Sequence, residues 1–178
     1  METQKTTLHQ CAMRSGTALG IFWIFNFIVF LLGLRIPFLT LLFVGLSFTV
    51  PIILFRLAKA YRKVHCDNVI SFGQAFFFIN SVAFFATMLT AVAHYIYFRY
   101  IDGGFIFEEY NHALQGIKDT LPGAELAQTI GQMEDALSQI AQLTPIELTF
   151  QLISQNIFFG IFLALVIAPF IMRKAPKL

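Results

Sequence analysis

The chain has 178 residues, of which 57% are hydrophobic and only 12% are charged, and its mean hydropathy is +0.72. Soluble domains carry about 25% charged residues, so this composition argues against a water-soluble protein. The formal net charge of +2 provides no broad basic surface, and we expect no nucleic-acid partner. The composition is typical of an integral membrane protein.

Four apolar stretches are long enough to cross a hydrocarbon core of about 30 Å, which takes roughly 20 helical residues. They cover residues 16–34, 36–55, 72–98 and 148–172, and none contains Asp, Glu, Lys or Arg. The sequence therefore predicts one all-α domain over residues 1–178. We expect a four-helix transmembrane bundle whose principal partner is the lipid bilayer.

The distribution of basic residues predicts the orientation of these spans. Most Lys and Arg residues lie before the first span, after the last, or between the second and the third. The positive-inside rule places these segments, and with them both termini, in the cytoplasm. The predicted loop between the second and third spans orients the chain and contacts anionic head groups, or else binds a dedicated lipid or partner. Its basic residues are Arg56, Lys59, Arg62 and Lys63.

Residues 101–145 lie on the opposite side and carry two apolar stripes at helical spacing, separated by Pro122-Gly123. We expect an extracytoplasmic cap, a helical hairpin between the third and fourth spans. Three roles are open for its second stripe: it packs within the hairpin, it contacts a partner or second copy, or it docks on the membrane surface. The residues of that stripe are Leu126, Ile130, Met133, Leu137 and Ile140.

Just after this segment, Thr144 and Glu147 have the spacing of a capping box that starts the last span, with Pro145 at its first position.

Polar side chains within the spans form a candidate functional face. Asn26 and Asn80 lie at similar expected depths, which predicts a hydrogen-bonded pair. The face either holds helices together or lines a polar pathway or ligand pocket beside the third and fourth spans. Only His94 is ionisable, which argues against a proton pump. The residues of this face are Asn26, Asn80, Thr87, Thr90, His94, Gln151 and Gln155.

Small residues recur every four positions in two stripes, which allow helices to approach closely in lipid. Because both stripes lie toward the cytoplasmic half, we expect the first and fourth spans to meet there. The first stripe is Ala12, Gly16 and Gly20, and the second is Gly160, Ala164 and Ala168.

No established catalytic or phosphate-binding motif occurs in the chain. Glu109 and His112 have the spacing of a di-iron ligand pair, but the motif appears once where such sites need it twice. His65, Cys66 and Asp67 could each bind a metal, but they are adjacent in the chain and cannot easily surround one ion. We therefore expect no catalytic residue, no metal, no cofactor and no enzyme activity.

Three stretches of the chain resemble a known family. They are "RSGTALGIFWIF" at the start of the first span, "AYRKVHCDNVISFGQAF" at 60–76 and "YIDGGF" at 100–105. The chain resembles the domain-of-unknown-function 4199 family of bacterial inner-membrane proteins. The resemblance implies four helices, a periplasmic segment between the last two, and a place in the bacterial inner membrane. It implies no activity, substrate or catalytic residue.

Two functional hypotheses follow. The first is a non-enzymatic structural or accessory protein that acts through contacts of its helices and cap, as a homo-oligomer or with another membrane protein. The alternative is a small oligomeric transporter or channel that uses the polar face of the third and fourth spans.

Overall fold

The computed structural model describes residues 2–120 and 124–173, and in this part the chain forms six α-helices and no β-strand. The all-α prediction is confirmed. The expected break at Pro122-Gly123 lies outside the described residues. The helices are α1 (Glu2–Gly33), α2 (Pro37–His65), α3 (Phe72–Tyr100), α4 (Phe105–Thr120), α5 (Ala124–Ala141) and α6 (Pro145–Ile171).

Four of these helices are long and apolar enough to cross a membrane. The apolar stretches are Leu8–Gly33, Pro37–His65, Phe72–Tyr100 and Pro145–Ile171, which correspond to the four predicted spans. α1 begins well before the predicted start at Gly16, and α2 ends well after Phe55. Hydropathy marks where a helix leaves the hydrocarbon, whereas the helix itself continues into polar sequence.

Local sequence signals set the starts of the helices. Pro37 occupies the first turn of α2, where its missing N–H costs little. The predicted capping box of α6 is present: the Thr144 hydroxyl accepts from the Glu147 backbone N–H at 3.4 Å, and Glu147 accepts from the Thr144 N–H at 2.8 Å. Ser71 and Gln74 form a second capping box at the start of α3, which the sequence analysis did not identify.

α3 is the central helix of the structure. It packs most extensively against α1 and α6, while α2 packs chiefly against α1. Phe78, Ile79 and Val82 on α3 are almost completely buried. In contrast, Phe38 and Phe48 on α2 are more than 70% exposed, so this helix presents much of its apolar surface to the surroundings.

Both small-residue stripes pack against α3. A Cβ atom at Gly16 would lie 2.5 Å from the Phe85 Cβ and 2.8 Å from the Val82 carbonyl oxygen. A Cβ at Gly160 would lie 2.9 Å from the Ala83 Cβ. The expectation that the first and last spans meet through these stripes is therefore wrong. The small residues let two different helices approach the same central helix.

The end of the structure that holds the α2–α3 connection is closed by the last residues of α6. The Arg62 guanidinium donates a 2.8 Å hydrogen bond to the Ile171 carbonyl. Ile70 and Arg173 exchange two backbone hydrogen bonds of 3.1 and 2.9 Å.

The four basic residues expected in this loop lie instead in the last turns of α2, because that helix continues to His65. Two of them, Arg62 and Lys63, lie in the last turn, where cations are favourable because the helix C-terminus carries partial negative charge. The four residues are Arg56, Lys59, Arg62 and Lys63.

The opposite end holds α4 and α5, which contact each other. Gly103 and Gly104 both have positive φ, 52° and 94°, which gives the tight turn between α3 and α4. The Asp102 carboxylate accepts hydrogen bonds from the N–H groups of Gly104 and Ile106 at 3.2 and 3.3 Å, and so satisfies donors at the start of α4.

Candidate functional site

A cavity of about 840 Å³ lies toward the α4–α5 end of the structure. Small-molecule sites usually have volumes of about 300–1,000 Å³. All six described helices contribute to its lining. On the far side lies the buried core around α3, which includes Phe78, Ile79 and Val82.

Aromatic rings form much of the cavity wall. The Phe27 ring lies edge-on to the His94 ring, with centroids 4.4 Å apart, and the Phe30 and Phe43 rings lie 5.3 Å apart. Such ring pairs stabilise a wall beyond the burial of their area. The aromatic lining residues are Trp23, Phe27, Phe30, Phe43, Phe98, Phe107, Tyr110 and Phe159.

Asn26 presents a hydrogen-bond acceptor with no partner. Its Nδ2 donates to the Ser47 hydroxyl at 3.1 Å, and that hydroxyl donates to the Phe43 carbonyl at 2.9 Å. Because the Ser47 proton is used, its oxygen can only accept from Asn26, which sets the orientation of the amide. The Asn26 Oδ1 is buried and has no hydrogen-bond partner among the described residues.

His94 supplies a second buried polar atom without a partner. The residue is 6% exposed, and its Nδ1 makes no hydrogen bond within the described part of the chain. Thr90, one turn earlier, donates its hydroxyl proton to the Ala86 carbonyl at 2.8 Å. Buried polar atoms are normally hydrogen-bonded, and these two belong to residues that line the cavity.

The lining residues that the structure describes carry no carboxylate, thiol, ammonium or guanidinium group. The titratable groups of this described lining are the imidazole of His94 and the phenol of Tyr110. A charged ligand would therefore find no ion-pair partner there. The remaining polar groups are amides and hydroxyls, which bind by hydrogen bonds. They belong to Asn26, Ser47, Thr90, Gln151, Gln155 and Asn156.

The structure brings five residues of the predicted polar face to this cavity: Asn26, Thr90, His94, Gln151 and Gln155. Two others lie elsewhere. Asn80 lines a separate cavity of about 180 Å³ between α3 and α6, and its Nδ2 donates to the Phe76 carbonyl. Thr87 is fully buried, lines neither cavity, and has no partner for its hydroxyl among the described residues.

The expected Asn26–Asn80 pair is not formed, and the register of α1 against α3 explains why. Gly16 faces Phe85, and farther along the same two helices Phe27 faces His94. Asn26 is therefore near the level of His94, roughly 20 Å along the helix axis from Asn80 at 1.5 Å per residue. The depth estimate failed because it counted from the predicted start of each span.

The second stripe of residues 101–145 is divided between different environments. Ile130 is 2% exposed, whereas Met133 is 53% exposed. Leu137 and Ile140 line the cavity. The side chain of Leu126 lies outside the described part of the structure. The stripe is thus largely used inside the protein.

Sequence reasoning missed the aromatic wall and the contribution of α2. One signal was present: Pro51 interrupts the second span, lines the cavity, and lacks the N–H that would bond the Ser47 carbonyl four residues earlier. The phenylalanines carried no such signal, because apolar residues face both lipid and neighbouring helices.

Comparison with known proteins identifies a family. A family model described as "Protein of unknown function (DUF4199)" matches residues 14–173, which is nearly the whole chain. Neither a curated protein nor a solved structure matches this chain.

Proposed function

Since this chain belongs to the family of unknown function DUF4199, we propose its role from the cavity: it is a non-enzymatic multi-pass membrane protein that binds a small molecule. The observation that carries the proposal is that two residues lining the cavity, Asn26 and His94, each have a buried polar atom, Oδ1 and Nδ1, without a partner among the described residues. An unmade hydrogen bond at a buried group costs about 1–3 kcal/mol, which a bound ligand can recover.

We propose further that the four long helices form a transmembrane bundle in a bacterial inner membrane, with the α4–α5 pair as its extracytoplasmic cap. The concentration of basic residues at the other end supports this orientation. Both termini are then cytoplasmic, and the cavity opens in the half of the bundle nearest the outer leaflet.

Binding is better supported than conduction. Beyond the cavity, the described residues of the core are closely packed, with Phe78, Ile79 and Ile171 at 1% exposure or less. The described part of a single copy therefore offers less support for a pathway from one end to the other, and transport or channel activity would require a rearrangement or an oligomer.

Accessory function through the cap has weaker support than it had from sequence, because Ile130 is buried and two of its neighbours in the stripe line the cavity. The outer face of α2 is the surface best suited to the bilayer or to another membrane protein. Its exposed residues include Phe38, Leu41, Phe48 and Ile52.

Native mass spectrometry of the protein released from mild detergent tests the proposal. We expect the wild type to carry a bound small molecule and Leu152→Trp, which fills the cavity, to lose it. Leu165→Trp is the matched control, because Leu165 lies on the same helix, is 51% exposed and does not line the cavity. A wild type without bound mass, or equal retention by Leu152→Trp, would contradict the proposal.

A further inference from the structure

We infer that the ligand is an uncharged amphiphile with one hydrocarbon chain and a hydroxyl-bearing head. This inference rests on the proposed function, since it specifies the chemistry of the molecule that occupies the cavity. It follows from the charge, the hydrogen-bonding capacity and the size of the described lining.

The lining excludes a charged head group. In the part of the chain that the structure describes, the cavity wall offers amides, hydroxyls, one imidazole and one phenol, with no side chain of fixed charge. A carboxylate, phosphate or ammonium transferred there would lose its hydration without gaining a counter-ion, and isolated buried charges are strongly disfavoured.

The orphaned Asn26 oxygen requires a hydrogen-bond donor. The Asn26 amide is oriented by Ser47, so the atom left without a partner is the carbonyl oxygen Oδ1, which can only accept. In a neutral imidazole Nδ1 either donates or accepts, according to the tautomer. One hydroxyl can donate to Asn26 and accept from a protonated Nδ1 of His94, and a head with two hydroxyls can also donate to the other tautomer.

The rest of the wall fits a hydrocarbon chain. Phe27 and Phe30 on α1 and Phe43 on α2 line the cavity, and α6 adds Leu152 and Leu163. A group the size of a water molecule occupies about 30 Å³, so a cavity of 840 Å³ holds on the order of 28 such groups. That volume accommodates one chain with a small head.

The single tryptophan of the protein, Trp23, lines the cavity and provides a direct reporter of occupancy. Three probes with the same brominated 18-carbon chain are titrated into the full-length protein in zwitterionic micelles, and quenching of Trp23 fluorescence is recorded. The probes are a monoacylglycerol, the corresponding methyl ester, which has no donor, and the free fatty acid as its carboxylate.

We expect saturable quenching by the monoacylglycerol, with at least tenfold weaker binding of the methyl ester and of the carboxylate. Equal or tighter binding of either comparison probe would overturn the head-group assignment while leaving ligand binding in the cavity intact. If none of the three probes quenches saturably, the cavity does not take single-chain amphiphiles and the inference is wrong. The proposed function is then judged separately by the bound mass in the native spectrum.

A pair of asparagine variants locates the hydrogen bond. Asn26→Leu should weaken monoacylglycerol binding about tenfold, the effect of one hydrogen bond to a buried group, and leave the methyl ester unchanged. Asn80→Leu is the matched control, because Asn80 is also an asparagine of a long apolar helix but lines a different cavity. Unchanged selectivity in Asn26→Leu would mean that water, not the ligand, satisfies Oδ1. The comparison of probes on the wild type decides the matter if that variant does not fold.

Discussion

The Arg35 guanidinium donates a 2.7 Å hydrogen bond from Nε to the Glu109 carboxylate, and this ion pair connects the α1–α2 turn to α4. The side chain of Glu109 is 18% exposed and that of Arg35 is 68% exposed, so the acidic partner is the shielded one. The guanidinium also lies 4.7 Å from the centre of the Phe105 ring. Because the next residue, Tyr110, lines the cavity, this contact holds α4 beside the cavity.

Glu109→Gln should loosen α4 with little effect on global stability. Partly exposed ion pairs contribute about 0–1 kcal/mol, so the protein should remain folded. We expect faster amide hydrogen exchange in α4 and faster dissociation of a bound ligand. High salt should produce part of the same effect in the wild type, because it screens the ion pair. Glu108→Gln, at the exposed neighbouring position, serves as the control. Identical exchange in both variants would show that the ion pair does not restrain α4.

Gly16→Ala should destabilise the contact between α1 and α3. Its new Cβ would lie 2.5 Å from the Phe85 Cβ, and overpacking of this kind costs about 1–3 kcal/mol. Gly45→Ala provides a matched control, because a Cβ at this position in α2 meets nothing within 4 Å. The control should be neutral or gain up to about 1 kcal/mol of helix propensity. Thermal unfolding in detergent measures both; equal midpoints would disprove the close approach.

Ile130→Asp should loosen the packing of α5 against the rest of the protein without preventing membrane insertion. Ile130 is 2% exposed, and a carboxylate buried there would lack a solvated environment, at a cost of about 3 kcal/mol to local stability. We expect rapid tryptic cleavage at Lys118 in membrane-inserted protein. Met133→Asp, at a position 53% exposed, should be cleaved like the wild type. Resistance of Ile130→Asp to trypsin would show that this position is not part of the packing.

The proposed orientation predicts opposite protease sensitivity at the two ends of the bundle. In intact spheroplasts, trypsin added outside should cut near Lys118, which lies on α4, and should spare Lys59, which lies near the end of α2. Permeabilised cells should be cut at both sites, which shows that each site is susceptible. Cleavage at Lys59 alone in intact spheroplasts would reverse the topology.

Cys66 should react slowly with alkylating reagents. Burial raises the pKa of its thiol above the ordinary value of 9.0; Asp67 adds to the increase, and a hydrogen bond with Tyr61 opposes it. Because the thiolate is the nucleophile, alkylation at pH 8 in a Cys11→Ser background should be slower than in the denatured protein. The stability contributed by the neutral thiol is present below pH 9.0 and is lost as the pH rises through the raised pKa.

Asp67→Asn tests the electrostatic part of that effect. Removal of the carboxylate should lower the pKa of Cys66 and accelerate its alkylation. Asparagine tolerates the positive φ of 45° at this position, so the loop should keep its conformation. An unchanged alkylation rate would assign the slow reaction to burial alone.

Much of the architecture followed from local sequence. Continuous apolar stretches predicted the four long helices, and the capping box of Thr144 and Glu147 was identified because its partners are three residues apart. Gly16 and Gly160 were recognised as points of close helix approach. All of these features depend on the residues of one segment and on the absence of water from its surroundings.

The partners of those residues depended on tertiary structure. Hydropathy does not distinguish a helix face that contacts lipid from one that contacts another helix, because both are apolar. The rotation and register of α1 against α3 therefore decided that Asn26 binds Ser47 and lies near His94, far from Asn80. The same packing gathered aromatic and amide side chains from distant segments around one cavity. The sequence alone determined that the chain suits a bilayer. Only side-chain packing in three dimensions decided that Asn26 and His94 line one cavity and each keep a polar atom without a partner among the described residues.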